Sequence, residues 1–454
     1  MASQLLSYSE AAEQVHRFIL ALAEGRPVPI DPNADQADSP GAESALPEGE
    51  IRSEFVALGD AVGRVLASAI RADRDLPPFP RSTRDGFACR AAEANTNQFL
   101  FVSGRIRAGQ EPGAVGAGPL GAGSLGLGEV WEIMTGAPVP EGADAVFMVE
   151  HSEHSAGTAE SRFGNSSDFV RLAAPRVLQA GENIVPRGAE AQAGDVLVPP
   201  GVRVGAAQIA VAAQCGYSRL AVAVRPRVAI LSTGDELVTV ESLPGPSQIR
   251  NSNSPMLASL VAAAGGEPIV LPAVPDREAP LDQAISGAMA ADLLLVTGGI
   301  SAGRFDLVED ALTRAGARFF FGGVAIQPGK PVVFGQLPRG GGRALPFFAL
   351  PGNPISSAVT FQLFAAPLLA ALGGDSGPQP RFALASMAGE WRGKPGLTRF
   401  LPAWCDFGPA AEVRLVPWQG SGDLAAFARS NCFVVVPEDA LEIAEGSVVQ
   451  ILLA

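Results

Sequence analysis

The sequence predicts a multidomain α/β protein. A central α/β domain with a mainly parallel sheet is preceded by an N-terminal α+β region that carries an inserted β subdomain, and is followed by a small β-barrel-like domain. Three observations carry this expectation. The chain has 454 residues, more than one ordinary core fills, and length alone suggests roughly three domains. Residues 225–375 alternate short apolar runs with helical patterns, the texture of parallel strands joined through helices. On either side that texture gives way to short strand-like runs broken by glycines.

In chain order, an apolar stripe over residues 9–23 predicts an amphipathic helix. Residues 25–50 are proline, glycine and acidic residues with almost nothing to bury, and they read as a disordered insertion. A second helical pattern spans 56–70. Glycine-separated runs over 91–168 predict the inserted β subdomain, so the N-terminal linker and dimerisation region is 1–90 with 169–224. In the central domain, 225–375, strands are expected at 228–231, 269–273, 293–296 and 347–350, and helices at 255–264, 281–290, 305–315 and 355–369. The last segment, 376–454, returns to short strands and forms the C-terminal β domain.

Composition removes whole classes of function. The formal net charge is −14, from 47 acidic against 33 basic residues, so no basic excess exists to displace counterions from a nucleic acid. Cys89, Cys215, Cys405 and Cys432 form no CxxC pair, which argues against zinc and a disulfide scaffold and suits a reducing compartment. The first residues lack the basic start and apolar run of a signal peptide. The longest apolar stretch, near 355–372, contains Gln362 and Pro367 and reads as a core helix, with no membrane span expected. A cytoplasmic protein is expected. The chain holds two lysines, Lys330 and Lys394. Lys330 sits in a Gly-Lys-Pro turn, where a compact ammonium differs from a guanidinium fork; Lys394 reads as solvated surface.

Chemistry is expected at three strand ends. Ser232-Thr233-Gly234-Asp235-Glu236 follows the first strand, Thr297-Gly298-Gly299-Ile300-Ser301 with Gly303 the third, and Pro351-Gly352-Asn353-Pro354 the last. Carboxyl ends of parallel strands share one rim, so these loops should converge. A glycine-rich turn at a helix start suits an anion, and equally suits a purely structural turn. Asn353 is placed to cap the last helix and Pro354 to occupy its first position. Asp235 and Glu236 repel a phosphate unless a magnesium ion bridges them; the alternative is a helix cap with a first-turn acid. His151 and His154, in HSEH, offer a metal pair or a solvated loop.

Five segments then carry a resemblance: IMTGAPVPEGADAVFMVE, AILSTGDELV, VTGGISAG, PGKPVVFG and ALPGNPISSAVTFQL. In this order and at these spacings they resemble the molybdopterin molybdenumtransferases, which include bacterial MoeA, the plant insertase domain and the E domain of gephyrin. The resemblance implies a MoaB/Mog-like central domain within an elongated homodimer. It implies a molybdenum insertase that takes molybdate and adenylylated molybdopterin and releases AMP with Mg²⁺ present. A paralogue for tungstate or a variant pterin, or a non-catalytic scaffold dimer, is the alternative. The implied partners are the molybdopterin adenylyltransferase and apo-molybdoenzymes, with neither nucleic acid nor membrane.

Carried over by position, the cofactor-binding residues are Ser232, Thr233, Gly234, Glu236, Asn251, Asn253, Gly298, Gly299, Ser301, Gly303, Pro351, Gly352, Asn353 and Pro354. Asp235 and Asp306 would hold the metal, and Lys330, Pro331, Ser356 and Ser421 the molybdate. Asp85, in RSTRDGF, would reach the pocket of a partner subunit and act with Asp235 and Lys330 in catalysis. Relatives usually carry a lysine where this chain has Gln327 and often another at Gly323, so a lysine restored at 327 is expected to tighten oxyanion binding. Ala189 replaces a common glutamate, now shifted to Glu190, and Arg304 replaces an acid.

Overall fold

A computed structural model describes residues 5–24, 52–110, 124–155, 169–299, 307–339 and 344–454. The expected insertion at 25–50 and the site candidates Ser301, Gly303, Arg304 and Asp306 lie outside the described residues. The chain divides into two compact units, Met1–Ser68 with Pro200–Ala206 and Arg219–Ala454, and Ala69–Pro199 with Ala207–Ser218.

The first unit opens with the helix Tyr8–Ala23. Ala11, Val15, Phe18 and Ile19 recur at helical spacing and are buried in the central core, so one face drives its docking. Ser7 caps it: the Ser7 hydroxyl accepts from the Glu10 N–H at 3.2 Å while the Glu10 carboxylate accepts from the Ser7 N–H at 2.7 Å. The helical pattern over 56–70 is not realised. Ser53–Ala57 is a strand followed by a single 3₁₀ turn, Leu58–Asp60, because pairing with Arg219–Ala223 in antiparallel register overrides local periodicity.

The central domain comprises β1 (Arg227–Ser232), α1 (Asn253–Ala263), β2 (Glu267–Val270), α2 (Glu278–Ala288), β3 (Leu293–Thr297), α3 (Leu307–Arg314), β4 (Arg318–Gly322), β5 (Val333–Pro338), β6 (Ala344–Leu350) and α4 (Pro354–Leu372). Its sheet runs β2-β1-β3-β6-β5-β4. The first three pairings are parallel, and β5 and β4 add antiparallel. β3, at the centre, is buried at every position, as an uninterrupted apolar run between helices requires. Two apolar cores lie on the two faces of the sheet. One joins Ile230, Leu295 and Phe348 to α1, α4 and the N-terminal helix; the other joins Leu231, Val296 and Phe347 to α2 and α3.

α4 contains one π-helical turn, Phe361–Ala365. By length and composition α4 is apolar enough to cross a membrane, yet its most apolar window is 78% buried, which is the core helix expected from Gln362 and Pro367.

The C-terminal segment closes a small barrel. Thr398–Asp406 pairs with Glu412–Leu415, which pairs with Phe382–Met387; Val448–Leu453 and Cys432–Val436 follow, and the last returns to Thr398–Asp406. Closure removes the free strand edges.

The second unit holds a six-stranded sheet in the order Ala145–Met148, Gly86–Cys89, Glu129–Ile133, Leu100–Ile106, Phe169–Leu172, Ser152–His154. It takes a strand from each side of residues 91–168. Phe87, Val130 and Phe147 form one of its cores and Trp131, Ile133 and Val146 the other.

Candidate functional site

The parallel register places the three loops side by side. Ser232 lies opposite Thr297, and Thr297 opposite Leu350, so the turns after β1, β3 and β6 leave one edge together. The Thr233 N–H donates to the Thr297 carbonyl at 3.0 Å and the Gly234 N–H to the Val274 carbonyl at 3.2 Å. Gly298 has φ +95°, and a Cβ there would lie 2.2 Å from the Thr233 carbonyl oxygen. Gly299 has φ +65°, with Val308 Cγ2 at 2.7 Å from its ideal Cβ. The glycines of this turn are therefore required by the neighbouring turn and by α3, whatever ligand approaches.

These loops surround a cleft of about 960 Å³. Ser232, Thr233, Gly234, Glu236, Asn251, Asn253, Gly298, Gly299, Lys330, Pro331, Pro351, Gly352, Asn353 and Pro354 line it, so most residues named from sequence meet in one place. The floor is built of hydroxyls. Ser232 and Ser254 share a hydrogen bond of 2.8 Å, Thr297 and Ser357 one of 3.2 Å, and the Ser357 hydroxyl donates to the Pro351 carbonyl. Among the described residues every buried polar side chain except Ser82 and Thr360 lies at these strand ends or in the first turns of α1 and α4. Concentrating buried polar groups costs stability unless each is paired, and such a floor marks a ligand site. The Asn253 amide donates to Thr297 Oγ1 at 2.9 Å and to the Gly352 carbonyl at 2.7 Å. Its Oδ1 is buried without a partner, an acceptor left open beside the cleft.

The Gly-Lys-Pro turn presents Lys330 into the cleft, exposed. Gly329 has φ +116°, and a Cβ would meet Thr360 Cγ2 at 2.6 Å, so glycine is the residue that lets the turn pack on α4. Lys330 and Arg250 are the cationic residues among those lining the cleft. Arg250 Nε is committed to the carbonyls of Val240 and Ser242, whereas Lys330 makes no ion pair among the described residues.

Two expectations about neighbouring residues are corrected. Asn353 occupies the N-cap position of α4 but its side chain does not cap the helix. Its amide donates to Ser421 Oγ at 2.9 Å, and the Ser421 carbonyl accepts from the Ile355 N–H at 3.0 Å. A loop of the C-terminal barrel thus takes over the capping, and one of the helix's free N–H groups is already used. Gln327 does not line the cleft. It sits in a two-residue strand paired with the barrel, and its Oε1 accepts from Arg399 Nε at 3.1 Å; a lysine at 327 would face a guanidinium.

Ser356 is buried in the first turn of α4, with 4% exposure. Asp235 is exposed and is not itself among the lining residues, although Gly234 and Glu236 on either side of it are; its Oδ1 accepts from the Asp276 N–H at 3.3 Å. Among the described residues no three His, Cys, Asp or Glu side chains gather as a metal group. Asp276, Glu309, Leu5, Gly422 and Leu424 also line the cleft, and sequence reasoning missed them. Asp276 had a readable signal: it follows the fourth parallel strand, whose carboxyl end must lie on the same rim as the other three.

Asp85 belongs to the second unit. Its Oδ1 accepts from the Thr135 N–H at 2.6 Å and from Thr135 Oγ1 at 2.9 Å. These bonds, the peptide N–H first, hold its carboxyl below the ordinary aspartate range, so it is ionised at neutral pH. In HSEH, Glu153 is paired with Arg171 at 2.6 Å and His154 packs edge-on against Phe87. Burial pushes the Cys89 and Cys432 thiols to about 12, so neither is a thiolate nucleophile.

Residues 7–216 match the MoeA N-terminal region (domain I and II), residues 229–371 a probable molybdopterin binding domain, and residues 385–454 the MoeA C-terminal region (domain IV). The molybdopterin molybdenumtransferase of Bacillus subtilis is 33% identical over 409 residues, 88% of this chain and 90% of that protein. That of a Nostoc species is 34% identical over 329 residues, 71% of this chain and 70% of that protein. The crystal structure of the molybdopterin biosynthesis moeA protein from Pyrococcus horikoshii superposes with a TM-score of 0.74 at 25% identity, covering 99% of this chain and 100% of that one. A rim of three strand-end loops over a hydroxyl-lined cleft, in a chain similar to these proteins from end to end, places it in their family: it belongs to the molybdopterin molybdenumtransferases, transferases of molybdenum cofactor biosynthesis.

Proposed function

We propose that this chain inserts molybdenum from molybdate into adenylylated molybdopterin, with Mg²⁺-dependent release of AMP. The observation that carries the reading is the meeting, in one cleft, of an exposed lysine and a rim of carboxylates, none of which makes an ion pair among the described residues. Lys330 supplies a compact cation for a doubly charged oxyanion, with Pro331 next to it in the cleft wall. The open Asn253 Oδ1 suits an N–H of a heterocycle. Gly298, Gly299 and Gly352 let a phosphate chain pass close to backbone N–H groups.

The residues fit magnesium. Asp235 is exposed, receives one peptide N–H, and has no ion-pair partner among the described residues; a cation that prefers one or two carboxylates plus waters and phosphate oxygens needs no protein cage. Asp235 with Asp306 would hold it, and when bound it supplies charge neutralisation at the phosphate being cleaved. The residues present orient and stabilise; adenylate cleavage asks for charge stabilisation at phosphorus more than for a covalent nucleophile.

The test is anaerobic incubation with adenylylated molybdopterin, following AMP. Release that needs both Mg²⁺ and molybdate supports the reading. Release driven by tungstate alone points to a specialised paralogue, and binding with no AMP points to a scaffold.

We further infer a homodimer in which Asp85 of one copy serves the cleft of the other. Both Thr135 bonds fall on Oδ1, which leaves the exposed carboxylate an oxygen to offer. A mixed dimer of Asp85→Ala and Asp235→Ala chains should regain one working site; no regain means that Asp85 is not shared.

A further inference from the structure

We propose that Asp276 is a positioning residue, which holds the Thr233–Asp235 turn so that Asp235 is presented to the cleft. The activity readout of this inference rests on the insertion reading above; its structural readout does not.

Asp276 belongs to the loop between β2 and α2, and two hydrogen bonds of different kinds run from it to the turn after β1. Its Oδ1 accepts from Thr233 Oγ1 at 2.5 Å, and its own N–H donates to Asp235 Oδ1 at 3.3 Å. One residue therefore grips both sides of Gly234. The turn needs such a grip. On the strand side, Thr233 and Gly234 are pinned by backbone bonds to Thr297 and Val274. Gly234 has no side chain to limit its backbone, and beyond it comes Asp235, whose carboxylate is exposed.

The hydroxyl bond is obligatory in a second sense. Thr233 is 2% exposed, and a buried hydroxyl must find an acceptor within the protein. The Thr233 carbonyl is wedged against Gly298, leaving no room for a Cβ there, so Thr233 cannot shift toward β3 to compensate. Losing the Asp276 carboxylate leaves a buried donor unpaired and removes the side-chain tie between the Asp276 loop and the Thr233–Asp235 turn. Asp276 makes no ion pair among the described residues, and both of its contacts need only an acceptor oxygen and a peptide N–H. Asparagine keeps both. That separates positioning from a role that needs the negative charge.

The experiment uses the full-length protein and the variants Asp276→Ala, Asp276→Asn, Thr233→Val and Thr233→Ser. Asp276→Ala is expected to lower kcat for molybdate-dependent AMP release by about 10–100-fold, the scale of loss for a displaced catalytic group. KM for the adenylylated pterin should change less than kcat. Asp276→Asn and Thr233→Ser should recover most of the loss. Thr233→Val combined with Asp276→Ala should be no worse than either alone, because both remove the same contact.

In the free protein, amide hydrogen exchange at residues 233–236 should accelerate in Asp276→Ala and stay near the unsubstituted rate in Asp276→Asn. The proposal is overturned if Asp276→Asn loses as much activity as Asp276→Ala, which assigns the role to the charge, or if exchange in Asp276→Ala is unchanged. If the unsubstituted protein releases no AMP, the insertion reading fails while the exchange measurement still decides the tether.

Discussion

Replacing Lys330 by alanine tests the oxyanion site most directly. The ammonium is exposed in the cleft and makes no ion pair among the described residues, so its removal breaks no packing, and the melting temperature should reflect a change within about 0.5 kcal/mol. On the proposed insertion reading, what it removes is a charge-assisted hydrogen bond to bound molybdate. Such bonds contribute about 1.5–3 kcal/mol, and 1.4 kcal/mol is tenfold in affinity. Because Lys330 is exposed, water and salt screen it, and the lower end of that range applies, roughly a tenfold weakening. The Gly329 backbone at φ +116° keeps the turn tight against α4, so the longer, planar side chain of Lys330→Arg should rescue little. The assay is the molybdate dependence of AMP release at saturating Mg²⁺, with thermal melting of the same samples. An unchanged half-saturating molybdate concentration in Lys330→Ala would refute the reasoning.

Gln327→Lys, which family comparison suggested would tighten oxyanion binding, should instead leave the molybdate dependence unchanged and lower stability by about 0.5–1 kcal/mol, since it trades the bond from Arg399 for a like charge; paired titrations and melts check both. Asp235→Asn should depress AMP release strongly and raise the Mg²⁺ needed, with melting little changed, whereas a simple helix cap would instead lose about 0.5–2 kcal/mol in the alanine variant with activity per folded molecule kept. Gly298→Ala forces a Cβ to within 2.2 Å of the Thr233 carbonyl at φ +95° and should destabilise by more than about 1 kcal/mol, read by chemical denaturation. Asp85 has a lowered folded pKa, so its contribution is complete above the unfolded aspartate value near 4 and is lost as pH falls through the folded value; the stability gap to Asp85→Asn should therefore hold at neutral pH and close in acid.

The central domain was legible in the sequence because its strands are buried on both faces, and such strands write themselves as uninterrupted apolar runs. Leu293 to Val296 has no polar residue to place. The loops at the strand ends were legible for the same reason: once the strands are parallel, their carboxyl ends must share an edge. The N-terminal helix announced itself by the spacing of its apolar face, while its Ser7–Glu10 cap was seen only in the structure. What escaped was decided by contacts between distant segments. Residues 53–57 became a strand through pairing with 219–223, a partner more than 150 positions away that no local window contains. β4 and β5 completed the sheet as an antiparallel edge, following α3 with no helix between them and β6, a break in the expected helix-strand alternation. Asn353 carried the pattern of a helix cap, but the barrel loop at Ser421 offered its hydroxyl first, and Gln327 was drawn to Arg399 by a strand pairing of two residues. Local sequence encodes burial and turn geometry, since those depend on each residue's own chemistry; which polar group finds which partner depends on the surface that folding brings opposite it, and only the tertiary structure supplies that.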